Sequence, residues 1–178
     1  MAKRSDRRWL LKSLQRLFAT ALEQRGFRLV PLTADEARSE RGQSHPLGRF
    51  HRIRGDGGLD IIEIDMRRDG APAFRIHAGV APKGGMTTVN GTHIIQEDLW
   101  TTWLEEFYEV APWGWLKTAY FQKYFKLIRR AWDRSVATEG DYDTLVLGVV
   151  NTIPQIEKAL RDGKCGPNIR YVNARECL

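Results

Sequence analysis

Three alternating apolar and polar runs, separated by links of only four and five residues, constrain this chain more than any other feature. Residues 49–54 (RFHRIR), 59–67 (LDIIEIDMR) and 73–80 (AFRIHAGV) read as strands. They are joined by Gly55-Asp56-Gly57-Gly58 and by Arg68-Asp69-Gly70-Ala71-Pro72. Period-two alternation marks strands with two different faces. Links this short join antiparallel neighbours, because a parallel crossover needs a dozen or more residues. Pattern and turns together predict a register. With Met66 opposite Phe74, Ile64 opposite Ile76 and Ile62 opposite Ala78, the apolar residues gather on one face. Asp65 then falls opposite Arg75 and Glu63 opposite His77 on the other, and a slip of one residue would mix the two sets.

The remaining segments are assigned by period and by caps. Residues 5–25 predict a helix, with Ser5 as N-cap and Trp9, Leu10, Leu14, Leu17, Phe18, Ala21 and Leu22 at helical spacing. Phe27–Leu32 is a first strand, and the polar stretch 33–48 a mobile loop with at most one helical turn. Residues 81–91 are a second loop, and 101–110 fits a strand or a short helix. Residues 115–134 carry Phe121, Tyr124, Phe125, Ile128 and Trp132 on one helical side. A last helix over 142–161, capped by Asp141 or Asp143, should be kinked or divided by Pro154. Residues 163–178 form a tail. The expectation is an α+β fold in a single domain, 1–178. Its antiparallel sheet of four to five strands has about three helices packed on one face.

Composition narrows the class. No apolar run approaches the ~20 residues of a membrane span, and two cysteines, Cys165 and Cys177, cannot make a disulfide scaffold. Lys12, Gln15 and Arg16 interrupt what would have to be the apolar core of an export signal, so a cytoplasmic chain with reduced thiols is expected. The first sixteen residues hold six cations against Asp6 alone, which accounts for most of the net charge of +6.

The opening amphipathic helix closed by Gly26-Phe27, the run Gly48-Arg49-Phe50-His51-Arg52, Leu59–Ile64, Phe74-Arg75-Ile76-His77-Ala78-Gly79-Val80 and the helix with Val150 and Ile153-Pro154-Gln155-Ile156 occur in this order. In that order they resemble a bacterial group, domain-of-unknown-function family 4304, over roughly residues 5–160. The resemblance implies an α+β fold and a bacterial cytosolic setting. It carries no activity.

Three functions are weighed. The first is a non-catalytic interaction domain that binds a protein or a small ligand through an aromatic-rich surface. Eleven of the 18 aromatics lie between residues 100 and 132, and Trp113 and Trp115, beside Pro112 and Gly114, are the candidate contacts, with Arg75. The second is a nucleic-acid module. Arg4, Arg8, Lys12 and Arg16 on one helix, with Lys123, Lys126, Arg130 and Arg134 on another, would track phosphates. The third is an enzyme with Glu63, Asp65 and His77 on the polar sheet face, joined by Arg52 and Arg54. The simpler reading of that face is cross-strand charge pairing in contact with water. The acids Glu63 and Asp65 lack the lysine of a nuclease site. None of His45, His51, His77 and His93 has zinc-ligand spacing, so no metal and no cofactor is expected.

Overall fold

In a computed structural model, residues 2–88, 90–112, 124–127 and 136–173 are described, with side chains from residue 5 onward. Trp113, Trp115, Lys123, Arg130, Arg134 and Cys177 lie outside the described residues, as does the side chain of Arg4.

The first helix, α1 (Ala2–Ser13), continues through a π-helical stretch, Leu14–Ala19, into α2 (Thr20–Glu23). It is already helical at Ser5, so Ser5 is an interior residue and not the expected cap. Then come β1 (Arg28–Val30), α3 (Ala34–Arg38), α4 (Glu40–Ser44), β2 (Arg49–Ile53), β3 (Leu59–Met66) and β4 (Ala73–Ala81). The segment read as a loop thus carries two short helices. Thr33 closes a capping box with Glu36 on α3, and Ser39 accepts from the Arg41 backbone N–H to start α4.

A two-stranded ladder, β5 (Met86–Thr87) with β6 (His93–Ile94), precedes 3₁₀ turns at Gln96–Asp98 and Thr101–Trp103 and then β7 (Glu106–Val110). Residues 101–110 therefore contain both a helical turn and a strand. Next are β8 (Phe125–Lys126), α5 (Glu139–Val150), α6 (Ile153–Asp162) and β9 (Ile169–Asn173).

The fold is α+β, with seven antiparallel strands in the main sheet and not four to five. Their order is β1-β2-β3-β4-β7-β9, with β8 alongside the start of β4. The β3–β4 register pairs Met66 with Phe74, Ile64 with Ile76, Ile62 with Ala78, Asp65 with Arg75 and Glu63 with His77. Two of the additional strands of the main sheet lie where other structure was expected. Phe125 packs its ring 5.4 Å from Phe74, so residues 125–126, within the segment expected as a helix, are a strand, while 115–123 and 128–134 of that segment lie outside the described residues. β9 occupies the segment read as a tail. The last helix starts at Glu139, because Thr138 and not Asp141 is the N-cap, with Asp141 reaching back to it. It is divided at Asn151–Thr152, just before Pro154 in the first turn of α6.

Leu10, Leu14, Phe18, Val146, Val149, Ile153 and Ile156 from the helices meet Phe50, Ile62, Ile64, Phe74 and Ile76 on one face of the sheet. Lys12 pairs with Glu139 at 2.7 Å, and Arg16 pairs with Asp143, which stitches α1 to α5. The opposite face is covered as well. Leu59, Ile61 and Ala81 pack there with Leu99 and Leu104. Gly79 permits this cover, since a Cβ on it would stand 2.6 Å from a Leu104 methyl carbon. The face expected to be open to water is therefore buried around Glu63. No described helix is long and apolar enough to cross a membrane.

Candidate functional site: a buried histidine–glutamate cluster beside an arginine-lined cavity

The register sets the site. Odd-numbered residues of β3 face away from the helical core, so Glu63 and Asp65 share that face with His77 and Arg75 of β4 and with Arg49 of β2. Arg52 does not. It pairs with Asp60 on the opposite face, donating to it at 3.0 and 2.8 Å and to Glu157 of α6 at 2.6 Å. Arg54 likewise binds Asp60 and the Leu160 carbonyl. Neither belongs to the candidate site, which corrects the expectation that they join it.

Asp65 and Arg75 follow the simpler reading. Arg75 donates to Asp65 at 2.7 Å and to Glu109 at 3.1 Å, which ties three strands together. Glu63 and His77 do not pair in this way. Glu63 is fully buried, and its carboxylate accepts from the Thr101 backbone N–H at 2.8 Å and from the Thr101 hydroxyl at 2.6 Å. Burial pushes its pKa up to about 7, against the pull of these hydrogen bonds and of Arg49 and Arg41.

His77 is 3% exposed, and burial, reinforced by Arg75, lowers its pKa to about 3. Its ring stands edge-on to Phe107 at 5.3 Å. His45, which ends α4, is 9% exposed and is also held neutral by burial. Its Nε2 lies 3.8 Å from Glu63 Oε2, and with a neutral ring this contact is not an ion pair.

One donor atom from each of His45, Glu63 and His77 lies within 4.8 Å of the others. Nδ1 of His77 is buried with no hydrogen-bond partner among the described residues, and of the two buried His45 ring nitrogens at most one is served, by the Arg41 backbone. Each such orphan costs ~1–3 kcal/mol, and buried polar groups without partners are uncommon. Neutral imidazoles with a carboxylate are a donor set for a divalent transition metal or for proton transfer.

Outside this cluster opens a cavity of about 610 Å³, lined by Arg41, His45, Arg67, Arg68, Arg75, His77, Trp100 and Tyr124 among others. Trp100 is buried, and its ring is flanked by Arg41 at 4.4 Å and Arg49 at 4.5 Å, with His45 edge-on at 5.1 Å. Arg41 also lies 4.7 Å from the ring of Trp103. Three of the four cavity arginines have carboxylate partners: Arg67 with Asp69, Arg68 with Glu40, and Arg75 with Asp65 and Glu109. Arg41 makes no ion pair among the described residues, and burial lowers its pKa.

Of the residues singled out from the sequence, Glu63, Asp65, Arg75 and His77 are brought together. Arg8 is exposed on α1, Lys12 and Arg16 are engaged with α5, and Lys126 is exposed on β8. Sequence reasoning missed His45, Thr101, Arg41 and Arg49 as site residues. His45 is 18 positions before Glu63 and 32 before His77, so no local spacing links the three. The available signal was the cross-strand position of Arg49, which follows from extending the register to β2.

The fold and site together define an antiparallel α+β protein with a buried His–Glu–His cluster under an aromatic, arginine-lined cavity. No family model, no curated protein and no solved structure matches the chain.

Proposed function

We propose that this chain is a binding protein for a small organic anion with a ring or other apolar body, held in the cavity beside α4. The observation that carries the reading is Arg41. Its guanidinium stands at the cavity wall over two tryptophan rings with no carboxylate in ion-pair contact among the described residues, Glu63 and Glu36 attracting it from further off, whereas the other cavity arginines are paired. A partly buried cation with no carboxylate in contact is completed by an anion, and guanidinium favours planar carboxylate or phosphate oxygens. The volume suits a small molecule, since such sites occupy ~300–1,000 Å³. Tyr124, half-buried at the cavity wall, supplies the ring surface. The aromatic ligand surface of this reading is formed by Tyr124 and by Trp103 beside Arg41, while Trp113 and Trp115 lie outside the described residues.

Titration calorimetry with benzoate, phenyl phosphate, acetate and neutral benzamide tests this. Benzoate or phenyl phosphate should bind more tightly than acetate, and benzamide should not bind. Arg41→Gln should weaken binding about tenfold or more, the size expected for a lost charge-assisted hydrogen bond. Failure of both ring-bearing anions to bind, or equal affinity in Arg41→Gln, overturns the reading.

A further inference from the structure

We infer that His45, Glu63 and His77 form a binding site for one divalent transition-metal ion, of the zinc or iron(II) type, at the floor of the cavity. The inference rests on the donor geometry and stands apart from the anion reading, which rests on Arg41.

Three elements converge on the site. Glu63 and His77 are fixed opposite one another by the β3–β4 register, and α4 delivers His45 from the side. Their donor atoms lie within 4.8 Å of one another, with 3.8 Å between His45 Nε2 and Glu63 Oε2. Two donors ~2.1 Å from an ion at a tetrahedral angle stand about 3.4 Å apart, so ion binding draws the set, now within 4.8 Å, inward by about 1.4 Å at its widest. His45 is best placed to make that movement, because it ends a five-residue helix, whereas Glu63 and His77 sit in the middle of the sheet.

The second observation is the set of orphaned nitrogens. Nδ1 of His77 is buried and unpartnered among the described residues, the His45 ring has at most the Arg41 backbone as a hydrogen-bond partner, and both rings lie at the same spot as a carboxylate. One ion satisfies a nitrogen of each ring. Two imidazoles and one carboxylate select a transition metal over calcium or magnesium, which prefer all-oxygen sets. Thr101 holds Glu63 from behind with two hydrogen bonds, the outer-shell support that orients a ligating carboxylate.

The charges facing the cluster are Arg41 and Arg49 near Glu63, and Arg75 with Asp65 near His77. The guanidiniums oppose a dication, so the affinity should fall in about the micromolar range and not at the extreme of structural zinc sites. Three protein ligands leave at least one coordination position, which the cavity lets an exogenous group reach.

The test is titration of the chelator-treated, desalted full chain with Co²⁺, followed by displacement with Zn²⁺. The expected result is one ion per chain with visible absorption of a nitrogen–oxygen site and no thiolate charge-transfer band. His45→Gln and His77→Gln should each lower the affinity about tenfold or more, while His51→Gln leaves it unchanged. No binding up to about millimolar Co²⁺ overturns the inference and assigns the space to water. A thiolate band, or unchanged affinity in His45→Gln, also overturns it. Should His77→Gln fail to fold by circular dichroism, His45→Gln decides alone. Benzoate titration of the metal-free chain tests the anion reading separately, so failure of one is distinguishable from failure of the other.

Discussion

Thr101→Val isolates the group that holds Glu63 in place. Valine keeps the shape and replaces only the hydroxyl, so the backbone N–H of residue 101 can still donate to Oε1 while Oε2 loses its 2.6 Å partner. Both residues are fully buried, and water cannot readily substitute. A hydrogen bond to an ionised group contributes ~1.5–3 kcal/mol and a neutral one ~0.5–1.5 kcal/mol.

The ionisation state follows from burial, which raises the Glu63 pKa from 4.5 to about 7. A carboxyl with a raised folded pKa favours the fold when neutral. That stability is present below the unfolded pKa of 4.5 and is lost as pH rises through about 7. Thr101→Val should therefore cost about 1 kcal/mol near pH 5 and about 2–3 kcal/mol near pH 8.5. Urea unfolding of the metal-free chain at both pH values measures this. In a Glu63→Gln background the pH dependence of the cost should disappear. Midpoints equal to wild type at both pH values would refute the reasoning, as would a cost that stays constant from acid to alkali.

His51, six residues after His45 and buried on β2, has its pKa lowered to about 4, first by burial and then by Arg49. Its folded pKa is depressed, so the stability is present above the unfolded pKa of 6.5 and falls as pH drops toward 4, by up to about 3 kcal/mol. His51→Leu should flatten the stability curve over that window in denaturant titrations, and an unchanged slope refutes the assignment. Gly79→Ala should destabilise the chain by ~1–3 kcal/mol, because its Cβ would stand 2.6 Å from Leu104 Cδ1. A thermal midpoint within error of wild type would show that the cover over this face yields freely. Thr138→Ala removes the α5 capping box and should cost ~1 kcal/mol, read from the unfolding midpoint, while Thr138→Ser retains most of it.

The meander was legible because two constraints agreed. Glycine-bearing links made the three strands neighbours, and alternation left one register that kept Ile62, Ile64 and Ile76 together. The covering of the other face was not legible. It is made by α4 and two 3₁₀ turns, segments of three to five residues that are too short to display a helical period. Arg52 was assigned to the wrong face because parity does not carry across a turn until the pairing is known, and Arg52 opposite Asp60 puts it with Ile62. Phe125 fits a helical stripe with Phe121 and Ile128 as well as it fits a strand. The ring of Phe74 decides between them in the folded chain. His45 reaches Glu63 through tertiary packing alone.

The central strand β3, Leu-Asp-Ile-Ile-Glu-Ile-Asp-Met, is buried along its whole length and carries three carboxylates. Without them it would be an eight-residue apolar β-former, the type of segment that seeds cross-β assembly when a chain leaves the ribosome. Asp60, Glu63 and Asp65 keep that segment soluble before its neighbours dock. Each then receives a partner from a different part of the chain: Arg52 and Arg54, Thr101, and Arg75. The acids thus protect the nascent strand from self-association and, once folded, tie it to three separate elements, so the same side chains serve both the newborn chain and the finished sheet.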